Sequence, residues 1–234
     1  MKGDLLFLAG ERAWRTIREN GLGPEDVSVV AGAAGAAKWL IISELDKAIF
    51  SSWFKDRVRP LLLYGTSIGS WKLACAALSD PVSGIKNLAD AYIHQKYSGR
   101  ITPGKVMQEC TRILDVCFPE DHISGILSHR FMRFNLTAVR CRGITGSERK
   151  PVQFLGMALA FLLNRVNRRL LSVFFERAFF YDPREKPAFF NKSEFPMQRV
   201  PLDTGNFRHA LLATGSIPLV MEGIRDIAGE QSGI

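Results

Sequence analysis

Cysteine is scarce in this chain, and what there is does not pair. Cys75, Cys110, Cys117 and Cys141 form no C-x-x-C motif, and their neighbours are apolar or helical, so neither a zinc site nor a disulfide framework is indicated. Free, buried thiols in a reducing, cytoplasmic compartment are the expectation. Long apolar runs are missing too. The longest, residues 154–163, is about half of what spans a bilayer and predicts a buried or surface-docked helix. At the start, Leu5-Leu6-Phe7-Leu8-Ala9-Gly10 is too short for a signal-peptide core and has Asp4 beside it, which argues against secretion. No low-complexity run, repeat or Pro/Gly/Ser-rich linker divides the sequence, so a single domain over residues 1–234 is expected.

What is present is core-forming. Of the 234 residues 47% are hydrophobic, with 16 Phe and 4 Trp, enough to exclude disorder. The formal net charge is +8, with basic residues gathered at Arg165, Arg168 and Arg169 and along residues 130–149, so an anionic partner must be weighed. No RNP, zinc-finger or helix-turn-helix signature accompanies them, which sets nucleic acid aside. Solvated helix faces and a peripheral contact with anionic membrane remain as readings of the charge.

Helical periodicity is read at residues 11–20, ended by Gly21 and Gly23, and at 37–50, where Trp39, Leu40, Ile42, Leu45 and Ile49 share a spacing that should pack on a sheet. Val27-Ser28-Val29-Val30 and Pro60-Leu61-Leu62-Leu63-Tyr64 read as strands. A helix from Ile68 is expected to stop at Asp80-Pro81. Helices are read over about 83–97 and 102–118, the second with Thr102 as N-cap and Pro103 in its first turn. Strand character returns at residues 134–140, a long helix follows Pro151, an aromatic stretch covers 173–181, and a last helix spans about 207–213. Alternation of this kind predicts an α/β fold, three layers α/β/α around a mainly parallel sheet.

Two small-residue turns sit between a strand and a helix. In Gly65-Thr66-Ser67-Ile68-Gly69, the small residues two places either side of Ser67 let strand and helix approach, which is the pattern of a nucleophile elbow. A chain of this composition produces that pattern by chance about 0.1 times, so its place between an apolar strand and a helix carries most of the weight. Ser67 is read as a nucleophile, and the Ile68 amide points where negative charge would develop. The second turn, Gly32-Ala33-Ala34-Gly35-Ala36-Ala37-Lys38, could present backbone N–H groups to a bound anion. A Walker loop is excluded because Trp39, not Ser or Thr, follows Lys38. On spacing alone this turn is equally a site of close helix-sheet packing.

Taken together the two turns resemble the patatin-like phospholipase family, in which a glycine-rich oxyanion loop follows the first strand and a serine elbow a later one. Ala210-Leu211-Leu212-Ala213-Thr214-Gly215-Ser216-Ile217-Pro218 is similar to the family's small-residue segment ending in Pro before its catalytic Asp-Gly, and residues 135–139 fall where the family has a central strand. The resemblance covers residues 27–234. It implies a serine acyl hydrolase acting on lipid esters through a Ser-Asp dyad without metal or organic cofactor. Ser67 would attack, and the amides of Ile68 and of Gly32, Ala33, Ala34, Gly35 and Ala36 would hold the oxyanion. Two departures stand out: alanines replace several of the family's loop glycines, and no Asp-Gly pair occurs anywhere in the sequence. The dyad's Asp is therefore expected beyond Ile234, and the chain is expected to be an inactive, C-terminally incomplete enzyme.

Other acids and bases read as weaker candidates. A triad would need His94, His122, His129 or His209, each in a helical, partly charged stretch, with His209 the least unfavourable. Asp203-Thr204-Gly205 reads as a turn, since aspartic-protease chemistry needs two such carboxylates. Glu222 and Asp226 would need unusual geometry. The rival expectations are a histidine-assisted α/β-hydrolase on soluble esters and a catalytically silent membrane-binding protein.

Overall fold

The computed structural model describes residues 8–229, so the apolar start at Leu5-Leu6-Phe7 and the Gly233-Ile234 end lie outside the described residues. The fold is α/β, consistent with three layers. Five strands, β1 (Val29–Gly32), β2 (Leu61–Gly65), β3 (Met132–Cys141), β4 (Phe175–Tyr181) and β5 (Met197–Pro201), lie side by side in chain order. The pairs β1/β2, β2/β3 and β4/β5 are parallel; only β3/β4 is antiparallel. Register places Gly32 beside Gly65 and Gly65 beside Leu136, so the strand ends that carry both small-residue turns share one edge of the sheet.

Helix α1 (Glu11–Asn20) buries no residue. Next in the chain come a 3-10 segment Ala36–Ile42, helix α2 (Ser43–Ala48) and a π-helical segment Ile49–Trp53, where one helix over 37–50 had been expected. The correction has a geometric cause. A 3-10 turn advances about 20° more per residue than an α-helix, and over six or seven residues this turns the downstream face by roughly a third of a revolution. Ile42 and Leu45 are consequently exposed, while Trp39 stays buried and Asp46 turns inward. Asp46 meets Lys72 there, its two carboxylate oxygens 2.9 and 2.8 Å from Nζ.

Helix α3 (Ile68–Ala76) is buried along its whole length, its one charge, Lys72, being taken up by Asp46. Asp80-Pro81 ends no helix. The Asp80 carboxylate caps the next one, α4 (Pro81–Ile93), by accepting from the Ser83 amide at 3.1 Å, with Pro81 in the first turn. Helix α5 (Pro103–Cys117) starts at Thr102 as its sequence indicates. Two elements went unread: the short helix α6 (Glu120–Leu127) and strand β5, an edge strand with Gln198, Arg199 and Pro201 in place of an apolar alternation. Helices α7 (Lys150–Val166) and α8 (Phe207–Gly215) complete the chain.

One core joins α3, α4, α5 and α8 to the sheet face bearing Leu61, Leu63, Phe134, Leu136 and Phe180. The opposite face carries Tyr64 and Phe179, covered by Phe189 at ring-centroid distances of 5.2 and 6.1 Å. Arg57 is buried; it donates to the carbonyls of Pro24, Arg59 and Pro60 and so anchors the entry to β2 against the segment before β1. The four cysteines are free thiols, and burial pushes Cys75 well up and Cys110 to about 11.

Candidate active site

At the end of β2 the chain turns into α3 within two residues, and Ser67 takes φ 52°, ψ −136°. A positive φ in a non-glycine residue costs of order 1–3 kcal/mol and persists only where its surroundings impose it. Here the imposition is steric. A Cβ on Gly65 would lie 2.5 Å from Ser70 Cα, and one on Gly69 would lie 2.1 Å from the Gly32 carbonyl oxygen and 2.7 Å from that of Ala33. Strand and helix therefore touch backbone to backbone, and the residue between them has no relaxed conformation left.

The contact at Gly69 also joins the two turns, which are more than thirty residues apart in sequence. The Thr66 amide donates to the Gly32 carbonyl at 3.1 Å, fixing the end of β1 against the elbow. After Gly32 the loop runs exposed through Ala33 and Ala34 to Gly35, which is extended, and Ala36, whose φ is 47°. Among the described residues, the amides of Ala33, Ala34, Gly35 and Ala36 have no hydrogen-bond acceptor, and neither has the Ile68 amide at the start of α3. Ser67 itself is partly exposed.

The third segment, residues 210–218, reaches the same place. Thr214, near the end of α8, accepts the Ser67 amide on Oγ1 at 2.8 Å and donates that hydroxyl to the Thr137 carbonyl of β3 at 2.6 Å. Helix α8 is held there by Trp71 of α3, whose indole N–H donates to the Leu211 carbonyl at 2.9 Å, with Gly215 leaving room for the indole ring. The Ser67 amide is thereby occupied, which leaves the Ile68 amide as the elbow's open donor. Thr214 and Thr137 went unnoticed as individual residues in sequence; the only signal was the small-residue segment around Thr214. Just before the elbow, Tyr64 Oη lies 2.8 Å from Thr137 Oγ1.

The candidate bases do not gather here. Among the described residues no carboxylate or imidazole is hydrogen-bonded to the Ser67 hydroxyl. His129 precedes β3, and since Leu61 pairs with Met132, it belongs to the sheet edge opposite Ser67. Its Nδ1 accepts the amides of Phe131 and Met132 at 3.3 and 3.0 Å, and burial, with Arg130, Arg184 and Arg133 around it, lowers its pKa to about 4. His94, just past the end of α4, and His122, on α6, are exposed. His209 is exposed on α8, five residues or roughly 7.5 Å of helix rise before Thr214. Asp203 is a turn residue: its carboxylate accepts the Asn206 amide at 2.9 Å while Asn206 Oδ1 accepts that of Asp203 at 3.0 Å. Glu222 and Asp226 are exposed in the segment after α8. No group of three or more His, Cys, Asp or Glu among the described residues is placed to hold a metal ion.

Comparison of the chain with family models, with curated proteins and with solved structures yields no match.

Proposed function

We propose that the protein is a patatin-like serine acyl hydrolase acting on lipid esters, with Ser67 as nucleophile. The observation that carries this reading is the convergence of three distant segments, residues 32–37, 65–69 and 210–218, on one strained serine at the carboxyl edge of parallel strands, the edge where α/β folds bind ligands. In this reading Ser67 Oγ adds to the ester carbonyl carbon, and its proton passes to the base of the dyad. The carbonyl oxygen becomes an oxyanion held by the Ile68 amide and by amides of the 32–37 loop. As the intermediate collapses, the base returns its proton to the leaving oxygen, so the alcohol departs and an acyl-serine remains; water, giving a proton to the same base, then releases the acid and restores the Ser67 hydroxyl. The dyad's Asp is the element without an assigned residue; by the same resemblance its place follows the 210–218 segment.

Fluorophosphonate labelling tests the reading. The full-length protein is expected to label once, and Ser67→Ala to lose the label along with hydrolysis of long-chain p-nitrophenyl esters. Label retained in Ser67→Ala would reject the nucleophile. Absence of labelling in a folded full-length protein would favour a silent scaffold instead. General-base assistance is worth about 10² to 10⁴ in rate, so a protein with the elbow and no base would fall short of ordinary turnover by that factor.

A further inference from the structure

Helix α7 shows the solvent an apolar face. Phe154, Leu155, Phe161 and Leu162 are 63, 64, 63 and 58% exposed, with Leu159 and Val166 continuing the row at helical spacing. Single exposed apolar residues are ordinary, but a row of six on one helix is not. The opposite edge of the helix is what docks it to the protein. Gly156 and Ala160 are buried there, Gly156 lies against the backbone of Ile144 and Thr145, and Gln153 Nε2 reaches the Thr145 carbonyl at 3.4 Å. The helix is therefore held in place, and its exposed face is a fixed feature of the surface.

Charge selects the occupant. Residues 149–175 contain Arg149 and Lys150 at one end of the helix, Arg165, Arg168 and Arg169 at the other, and no Asp or Glu. All five are exposed, and among the described residues none pairs with a carboxylate. A second copy facing the same row would bring ten uncompensated cations together, counting five from each chain, which disfavours self-association. An apolar stripe bracketed by cations without carboxylate partners, Arg168 lying over the Phe195 ring, fits the boundary of an anionic bilayer, where the stripe enters the acyl region and the cations meet headgroups. The helix has 17 residues, and no helix among the described residues is long and apolar enough to cross a membrane. Position completes the argument. Beyond Leu136, which pairs with Gly65, β3 continues to Cys141 and leads through the turn Gly143–Gly146 into α7, so the helix belongs to the sheet edge that carries Ser67.

We propose that α7 is an interfacial helix that seats the protein on an anionic lipid surface, with the Ser67 edge facing that surface. Docking does not depend on the chemistry at Ser67.

Vesicle flotation with the full-length protein tests it, because flotation separates bound protein from aggregates. Phosphatidylserine-containing vesicles should carry the protein up the gradient and pure phosphatidylcholine vesicles far less, with the difference lost in high salt. Arg165→Gln with Arg169→Gln should weaken partition to the anionic vesicles on the order of 30-fold, given about 1 kcal/mol for each basic residue near such a surface. Leu155→Gln with Leu162→Gln should abolish flotation while circular dichroism stays unchanged, since both side chains already face solvent. A tryptophan placed by Leu162→Trp should be quenched by brominated acyl chains. Equal flotation with neutral vesicles, undiminished binding by the Leu variants, or a dimer that dissociates when Leu162 is replaced would each overturn the proposal. Ser67→Ala should float like the wild type, so a failed labelling experiment and a failed flotation experiment remain distinguishable.

Discussion

At the scale of the residue, Ser67 is where the chain stores strain. Its φ of 52° and ψ of −136° are reached because Gly65 and Gly69 put backbone against backbone on both sides of it. Glycine adopts such a conformation without the Cβ penalty, although it gains freedom in the unfolded chain. Ser67→Gly is therefore expected to be more stable than Ser67→Ala by about 1 kcal/mol, measured by urea denaturation of the two variants. Equal midpoints would mean that the elbow holds no strain. The sequence made the Gly-x-Ser-x-Gly pattern legible and with it the tight turn. It could not show that the Ser67 amide is spoken for, because the hydroxyl that takes it belongs to Thr214, 147 residues away.

Among the elements, α2 and α3 are tied by the pair between Asp46 and Lys72, whose side chains are each about 10% exposed. This bond connects the segment that follows the 32–37 loop to the helix that follows the elbow, so it bears on the relative placement of both turns. Removing one partner of a buried pair leaves an uncompensated charge and costs about 3–5 kcal/mol, whereas replacing both with apolar groups is close to neutral. Lys72→Met should thus lower stability by that amount, and Asp46→Leu combined with Lys72→Met should recover most of it in thermal or chemical unfolding. Additivity of the two single losses would show that the groups do not act as a pair. Sequence periodicity placed Ile42 and Leu45 on the packed face, because it assumed one α-helical period through 37–50. The 3-10 and π-helical segments that change the period are chosen by tertiary contacts, the Asp46–Lys72 pair among them.

For the molecule as a whole, acid stability follows from the end of the sheet opposite Ser67. His129 has a folded-state pKa of about 4 against an ordinary 6.5, because it is partly buried and surrounded by Arg130, Arg184 and Arg133. Below pH 6.5 the unfolded chain takes up this proton before the folded one does. The stability contributed by the neutral imidazole is complete above pH 6.5 and is lost as pH falls through about 4. The melting temperature should decline across that window, and His129→Asn, which keeps an acceptor for the Phe131 and Met132 amides, should flatten the decline. An identical decline in the variant would assign it to other groups. The arginines that lower this pKa come from two segments, 130–133 and Arg184, and the latter is positioned by Asp182, Met132 and His129 only in the folded chain. By itself the sequence determined the α/β class, nearly all the helices and strands, and the three small-residue segments, because turn chemistry and apolar period are local properties. Tertiary structure alone decided that those segments meet at one serine, that no described histidine or carboxylate joins them there, and that the apolar face of α7 stays uncovered. Each of those depends on strand order and on which helix face finds a neighbour, and these are settled by packing between residues far apart in the chain.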